Sequence, residues 1–195
     1  MARPAAFTKT AILDSARDIA AFAGPSALSI AAVGQKLGAP TGSIYHRFKS
    51  RDELLATVWL DAIETFQAAV FDEVANGCGP AELAAFVVRW CRDNHTLAKL
   101  LTLYRRSEWL GDRVGKDVRK RAEELNVPVR AMIEEGAERW LGERTPRACD
   151  VVQLVVITLP SAGVKEWLHR DQQVPEWVAP AVQAAAHAFM KEAMI

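Results

Sequence analysis

The sequence predicts an all-α protein: a small three-helix domain with a helix-turn-helix over residues 1–50, joined by a long helix to a larger helical domain over 51–195. Three observations carry this. Apolar residues recur at a 3.6-residue period with no strand alternation, two short helical segments meet at Gly38-Ala39-Pro40, and Gly77-Cys78-Gly79-Pro80 interrupts the later pattern. A chain of 195 residues can bury one good core, and a small head plus one helical domain is about its limit.

The elements follow in order. Thr8 caps a first helix whose stripe is Ile12, Ala16, Ile19 and Ala23 with Phe22 on its flank; Phe7 and Ile12 are spaced as a staple, and Gly24-Pro25 ends it. Ser29 caps the second helix, Leu28 and Val33 form its staple, and Gly38 supplies a left-handed stop. The third helix, over 41–48, turns Ile44 and Phe48 inward and Gly42, Ser43 and His46 outward, with Tyr45 and Arg47 on the flanks. Ser50 and Glu53 are spaced as a capping box, Ser50 accepting from the Glu53 amide and the Glu53 carboxylate returning to the Ser50 amide. This opens a fourth helix over 51–75 that buries Leu55, Val58, Ala62, Phe66 and Ala69.

Beyond the break, 82–94 and 97–109 read as helices rich in large residues, among them Phe86, Trp90, Leu100 and Tyr104. A longer helical pattern over 116–140 contains Pro128, which removes a backbone donor and kinks or divides the helix, opening space inside the bundle. Thr145-Pro146 is a cap with proline at the first helical position, and the helix it starts is apolar nearly all round from 151 to 159. Two accounts of that helix stand: a second copy covers its outer side, with the last helix over 180–193 completing a four-helix interface, or Pro160 and Gly163 bend it to fit within one chain.

The formal net charge is zero, but residues 1–51 hold seven Lys or Arg (Arg3, Lys9, Arg17, Lys36, Arg47, Lys49, Arg51) against Asp14 and Asp18, a net of +5. Positive charge thus gathers around the third helix, as a phosphate-binding surface requires, although a merely solvated basic face has the same composition. On the binding reading, Tyr45, His46, Arg47 and Lys49 meet phosphates, Ser29 and Arg51 assist, and Thr41, Gly42 and Ser43 approach base edges. Lys49 and Arg51 flank a helix N-terminus, itself an anion-binding feature.

In the larger domain Trp59, Trp90, Trp109, Trp140 and Trp167 are scattered with Phe66, Phe86 and Tyr104. They are either core or partly the wall of an apolar ligand pocket, for which Trp59, Phe66, Phe86, Trp90 and Tyr104 are the candidates. Cys78, Cys91 and Cys149 have neither disulfide-framework nor zinc spacing, and His95, His169 and His187 lack metal-ligand spacing. No catalytic motif, metal site or cofactor site is encoded. The start has no signal-peptide core and no later apolar run reaches membrane-spanning length, so a soluble, cytoplasmic protein is expected.

The stretch Ser29 to Leu55 resembles the DNA-binding signature of TetR-type transcriptional regulators: Gly38, Ser43, Ile44, Tyr45, Phe48, Lys49, Leu54 and Leu55 fall on that pattern. His46-Arg47 departs from it, and either residue can take the phosphate contact. The resemblance implies a homodimer on a palindromic double-stranded operator, most simply a repressor, and a small-molecule effector in the larger domain. The fourth helix, connecting the two domains, would be the lever. The competing class is a helical ligand-binding protein or enzyme whose first helices do not touch DNA.

Overall fold

The computed structural model describes residues 7–111 and 114–193, and among them every regular element is helical. Arg3, counted in the amino-terminal charge, lies outside the described residues. Thr8 accepts from the Ala11 amide at 3.1 Å and starts α1, Lys9–Ala23. Its buried face is Ile12, Leu13, Ser15, Ala16, Ala20 and Ala21, rotated from the expected stripe: Ile19 is only half-buried and Ala23 is exposed. The rotation arises because α1 packs against three neighbours, α2 (Ile30–Leu37), α4 (Arg51–Ala75) and α6 (His95–Leu103), not against one surface.

Ser29 Oγ accepts from the Ala32 amide at 3.0 Å to cap α2. Gly38, at φ 64°, closes it with two bonds, Gly38 N–H to the Gln35 carbonyl and Ala39 N–H to the Gly34 carbonyl at 2.9 Å, a Schellman turn. α3 is regular only over Thr41–Tyr45, shorter than expected. Arg47 N–H donates to the Ile44 carbonyl three residues back, so the last turn tightens, while Phe48 N–H still reaches Ile44 at 3.0 Å.

Ser50 accepts from the Glu53 amide at 3.1 Å as a capping box requires, but the Glu53 carboxylate returns to the Lys49 amide at 2.7 Å, one residue earlier than expected. α4 then buries nearly all sides of its first half, Leu54 through Leu60, because the head packs on one side and the bundle on the other.

The bundle comprises α5 (Pro80–Asp93), α6, α7 (Arg106–Trp109), α8 (Lys116–Glu124), α9 (Asn126–Leu141), α10 (Pro146–Gln153), α11 (Leu159–His169) and α12 (Val178–Ala193). The helix expected over 97–109 breaks at Tyr104, whose backbone is extended, and Glu108 accepts from the Arg105 amide at 2.7 Å to start α7. The 116–140 pattern divides at Leu125; Pro128 cannot donate to the Glu124 carbonyl, and the Leu125 carbonyl is taken by Gln67 Nε2 at 3.0 Å.

Between α10 and α11 the chain stays helical through a π turn, Leu154–Thr158. Pro160 lacks the N–H that would bond Val156, and the ladder widens just before it, with Leu159 N–H reaching back to Leu154. Val152, Val155, Val156 and Pro160 are buried, whereas Leu154 and Ile157 are exposed, as are Trp177 and Phe189. α12 packs along α5, and it comes so close to α11 that a Cβ on Gly163 would sit 2.9 Å from Val182.

Contrary to expectation, two helices, Arg51–Ala75 and the continuous rod Pro146–His169, are long and apolar enough to cross a bilayer. Half of the first span is buried between head and bundle, whereas a third of the second is buried, through Val152, Val155, Val156 and Pro160 among others, and Leu154 and Ile157 stay exposed. On α4, Asp61 and Glu64 bind Arg17 and Arg121 in the middle of the helix.

Candidate nucleic-acid interface and apolar cavity

The α2–α3 pair is held at close range by Gly34. A Cβ there would lie 2.9 Å from the Ala39 carbonyl and 3.6 Å from Ile44, so only glycine lets the turn fold back onto α2. Ile44 and Phe48 are fully buried among Ile12, Leu28 and Val33, which pins α3 by its inner face. Thr41, Gly42, Tyr45 and His46 are left exposed, Ser43 and Arg47 half-buried, and nothing lies within 4 Å of a Cβ on Gly42. A backbone open at the start of a short helix, with hydroxyls beside it and aromatic and cationic groups along its edges, fits a DNA groove.

The cations of the head divide by what already holds them. Arg17 pairs with Asp14 and Asp61, and Lys36 with Asp18 at 2.7 Å. Arg51 donates from Nε to the Leu28 carbonyl at 2.6 Å and from Nη2 to the Pro25 carbonyl at 2.8 Å, tying the α1–α2 connection to the start of α4. Its guanidinium is therefore mostly spent inside the head. Lys49 is exposed and has no ion pair among the described residues. Arg47 makes one long bond, 3.3 Å, to the Ser43 carbonyl. Lys9 lies 5.9 Å over the Phe48 ring, beside α3. In the sequence Lys9 is charge without a place, and the signal for Gly34 is a glycine four residues before the Gly38 stop.

Behind the head lies a cavity of about 360 Å³. Trp59, Phe66, Trp90 and Tyr104 line it, and Phe66 meets Trp90 edge-on at 4.8 Å. Phe86 does not: it packs partly buried against the bundle core, while Leu83, Val87, Trp90 and Cys91 give α5's cavity face. Asn126, Val129 and Met132 enter where the helix divides, and Val156 and Ile157 enter from the π turn, two walls with irregular backbone.

Among the described residues no carboxylate lines the cavity. Burial pushes the Cys91 thiol up to about 12, and burial together with the Glu108 carboxylate raises the Tyr104 hydroxyl, so both stay neutral at neutral pH. Arg106 is the cation on the wall, its guanidinium 5.9 Å from the Trp59 ring. Arg106 also borders a second depression of about 410 Å³ with Ser107, Leu110, Arg119 and Glu123.

Cavity and head share residues. Trp59 lines the cavity and belongs to the head's core, and α6 sends Ala98 and Leu101 to the cavity while Leu100 packs into that same core. Among the described residues no group of His, Cys, Asp and Glu could hold a metal ion.

The architecture is a helix-turn-helix head seated on a helical bundle with an apolar cavity. Residues 12–58 match the bacterial regulatory proteins of the tetR family. Solved structures match along the whole chain. A transcriptional regulator from Rhodococcus sp. Rha1 superposes with a TM-score of 0.71 at 17% identity, covering 96% of this chain and 99% of its own. A TetR-like transcriptional regulator from Rhodococcus sp. RHA1 gives 0.68 at 16%, covering 98% of each. The regulator FadR from Bacillus subtilis, in complex with stearoyl-CoA, gives 0.66 at 15%, covering 96% and 98%. No curated protein matches the sequence. The chain thus carries a segment similar to the tetR family over residues 12–58 and shares the fold of these regulators along almost its whole length.

Proposed function

We propose that this regulator is a repressor that binds a palindromic operator as a homodimer and is released when a small molecule enters the cavity. The observation that carries the DNA part is α3, anchored by Ile44 and Phe48 with Thr41, Gly42, Tyr45 and His46 bare. Thr41, Gly42 and Ser43 approach base edges, and Tyr45, His46, Arg47 and Lys49 contact phosphates. Ser29 caps α2, so it acts through the backbone it holds, and Arg51 positions the head. Lys9 joins the phosphate set by its place beside Phe48.

The dimer is supported by exposed Leu154, Ile157 and Phe189 on the π turn and α12, apolar side chains that a second copy would cover about a two-fold axis. Two heads one DNA turn apart then match a palindrome. An effector that binds better to a form with wrongly spaced heads lowers operator affinity by the same coupling free energy. Trp59 on α4 and Leu100 on α6 are the contacts through which that form is felt in the head.

Selecting bound duplexes from a random DNA pool tests this reading. The expected result is a two-fold symmetric site with half-sites about one helical turn apart, bound more weakly as salt rises. Recovery of no preferred sequence, or a sedimenting monomer at micromolar concentration, would overturn it.

A further inference from the structure

We infer that the effector is an amphipathic anion, with an alkyl or acyl chain in the apolar cavity and an acidic headgroup in the neighbouring depression, the two joined at Arg106. The inference rests on the proposed regulatory function only for the word effector; the site stands on its own geometry.

The cavity walls are aromatic and aliphatic, Phe66, Trp90, Val129 and Met132 among them, which suits a hydrocarbon chain. With Cys91 and Tyr104 neutral and no acidic residue on the wall among the described residues, nothing there compensates a ligand cation, and burying one would be costly. At the border of both spaces stands Arg106, exposed and without a carboxylate partner among the described residues. Next to it the depression carries, among the described residues, Arg119 and Ser107 against a single acid, Glu123. Arg119 spends one nitrogen on the Gly111 carbonyl at 2.7 Å, which holds it on that wall with donors to spare. A guanidinium fork at the mouth of an apolar space is the donor set for a carboxylate or phosphate.

Two ligand sources share this chemistry, a free fatty carboxylate and an acyl thioester of a phosphorylated carrier. The second uses the whole depression, since its phosphates lie between Arg106 and Arg119.

The test is titration of the purified full-length protein, read by calorimetry and by the fluorescence of Trp59 and Trp90 at the cavity wall. The probes are laurate, lauroyl-CoA, dodecanol, dodecyltrimethylammonium and CoA alone. Laurate and lauroyl-CoA should bind, each at least about ten-fold tighter than dodecanol, with the ammonium weakest. Arg106→Ala, a change at an exposed position, should remove that preference while leaving dodecanol unchanged. Arg119→Ala should weaken lauroyl-CoA alone if the thioester is the ligand and neither if it is the free acid. Val129→Trp, which fills the cavity, should abolish binding of every chain.

Equal binding of dodecanol or the ammonium, or an Arg106→Ala protein that still prefers the anions, would overturn the inference. Failure of all probes by a protein that still binds its selected duplex would sink the ligand class and leave the regulator. Anion binding by a protein that recognises no duplex would do the reverse.

Discussion

At the scale of single residues, Lys49 and Arg51 differ only by where the backbone sends them. Both are cations beside the start of α4, and charge and spacing treat them alike. In the folded head Arg51 meets two carbonyls, those of Pro25 and Leu28, whereas Lys49 points to solvent and lends only its amide to Glu53. Losing Arg51 orphans those carbonyls and frees the α1–α2 connection. Arg51→Ala should therefore cost about 1–2 kcal/mol of stability in urea melts and leave the salt dependence of operator binding unchanged. Lys49→Ala should leave the melt unchanged but weaken binding to all duplexes and reduce the salt slope by about one. Ser43→Ala should instead change the ranking of duplexes, at a smaller total loss. A lowered salt slope in Arg51→Ala would show that its guanidinium leaves the carbonyls for a phosphate.

Among the elements, the helix-turn-helix depends on one close approach. Alanine at Gly34 would gain about 1 kcal/mol of helix propensity, but its Cβ would stand 2.9 Å from a backbone oxygen, which has no flexible end to move aside. Gly34→Ala should thus be net destabilising by about 1–2 kcal/mol in urea melts and should lower operator affinity beyond what that explains, because α3 is pushed off its seat. An unchanged melting profile would mean that the turn yields freely. Local signals made this unit legible before folding: the Ser29 and Ser50 caps and the Gly38 stop act within a few positions, and they reappear as bonds. What was not legible depends on packing from afar. The turn of α1 that exposes Ala23 is set by α6, far along the chain, and Phe86 leaves the cavity because α5 has two apolar faces and only one meets it. The π turn had a local cause in Pro160, yet proline alone does not say whether a helix will kink, stop or widen.

Over the whole molecule, the bundle is fastened to the head by more than α4. Asp171, in the connection after α11, accepts from Lys99 Nζ at 2.8 Å and lies 3.0 Å from His95 Nε2, both on α6; the Lys99 ammonium in turn sits 4.5 Å over the ring of Phe22 on α1. One carboxylate thus helps to hold three parts together. The hydrogen bonds from Lys99, then from His95, hold the Asp171 carboxyl below its ordinary value of 3.8. A depressed carboxylate contributes stability that is present above the unfolded value and lost as pH falls through the folded one. Asp171→Asn removes that contribution without straining the chain, since asparagine accepts the left-handed backbone found here, φ 55°. The variant should therefore melt below the parent at neutral pH, and the gap should narrow as pH drops below 3.8. If the gap persisted unchanged into that range, the contribution of Asp171 would come from shape alone, and the tie from α11 through Lys99 to α1 would not be electrostatic.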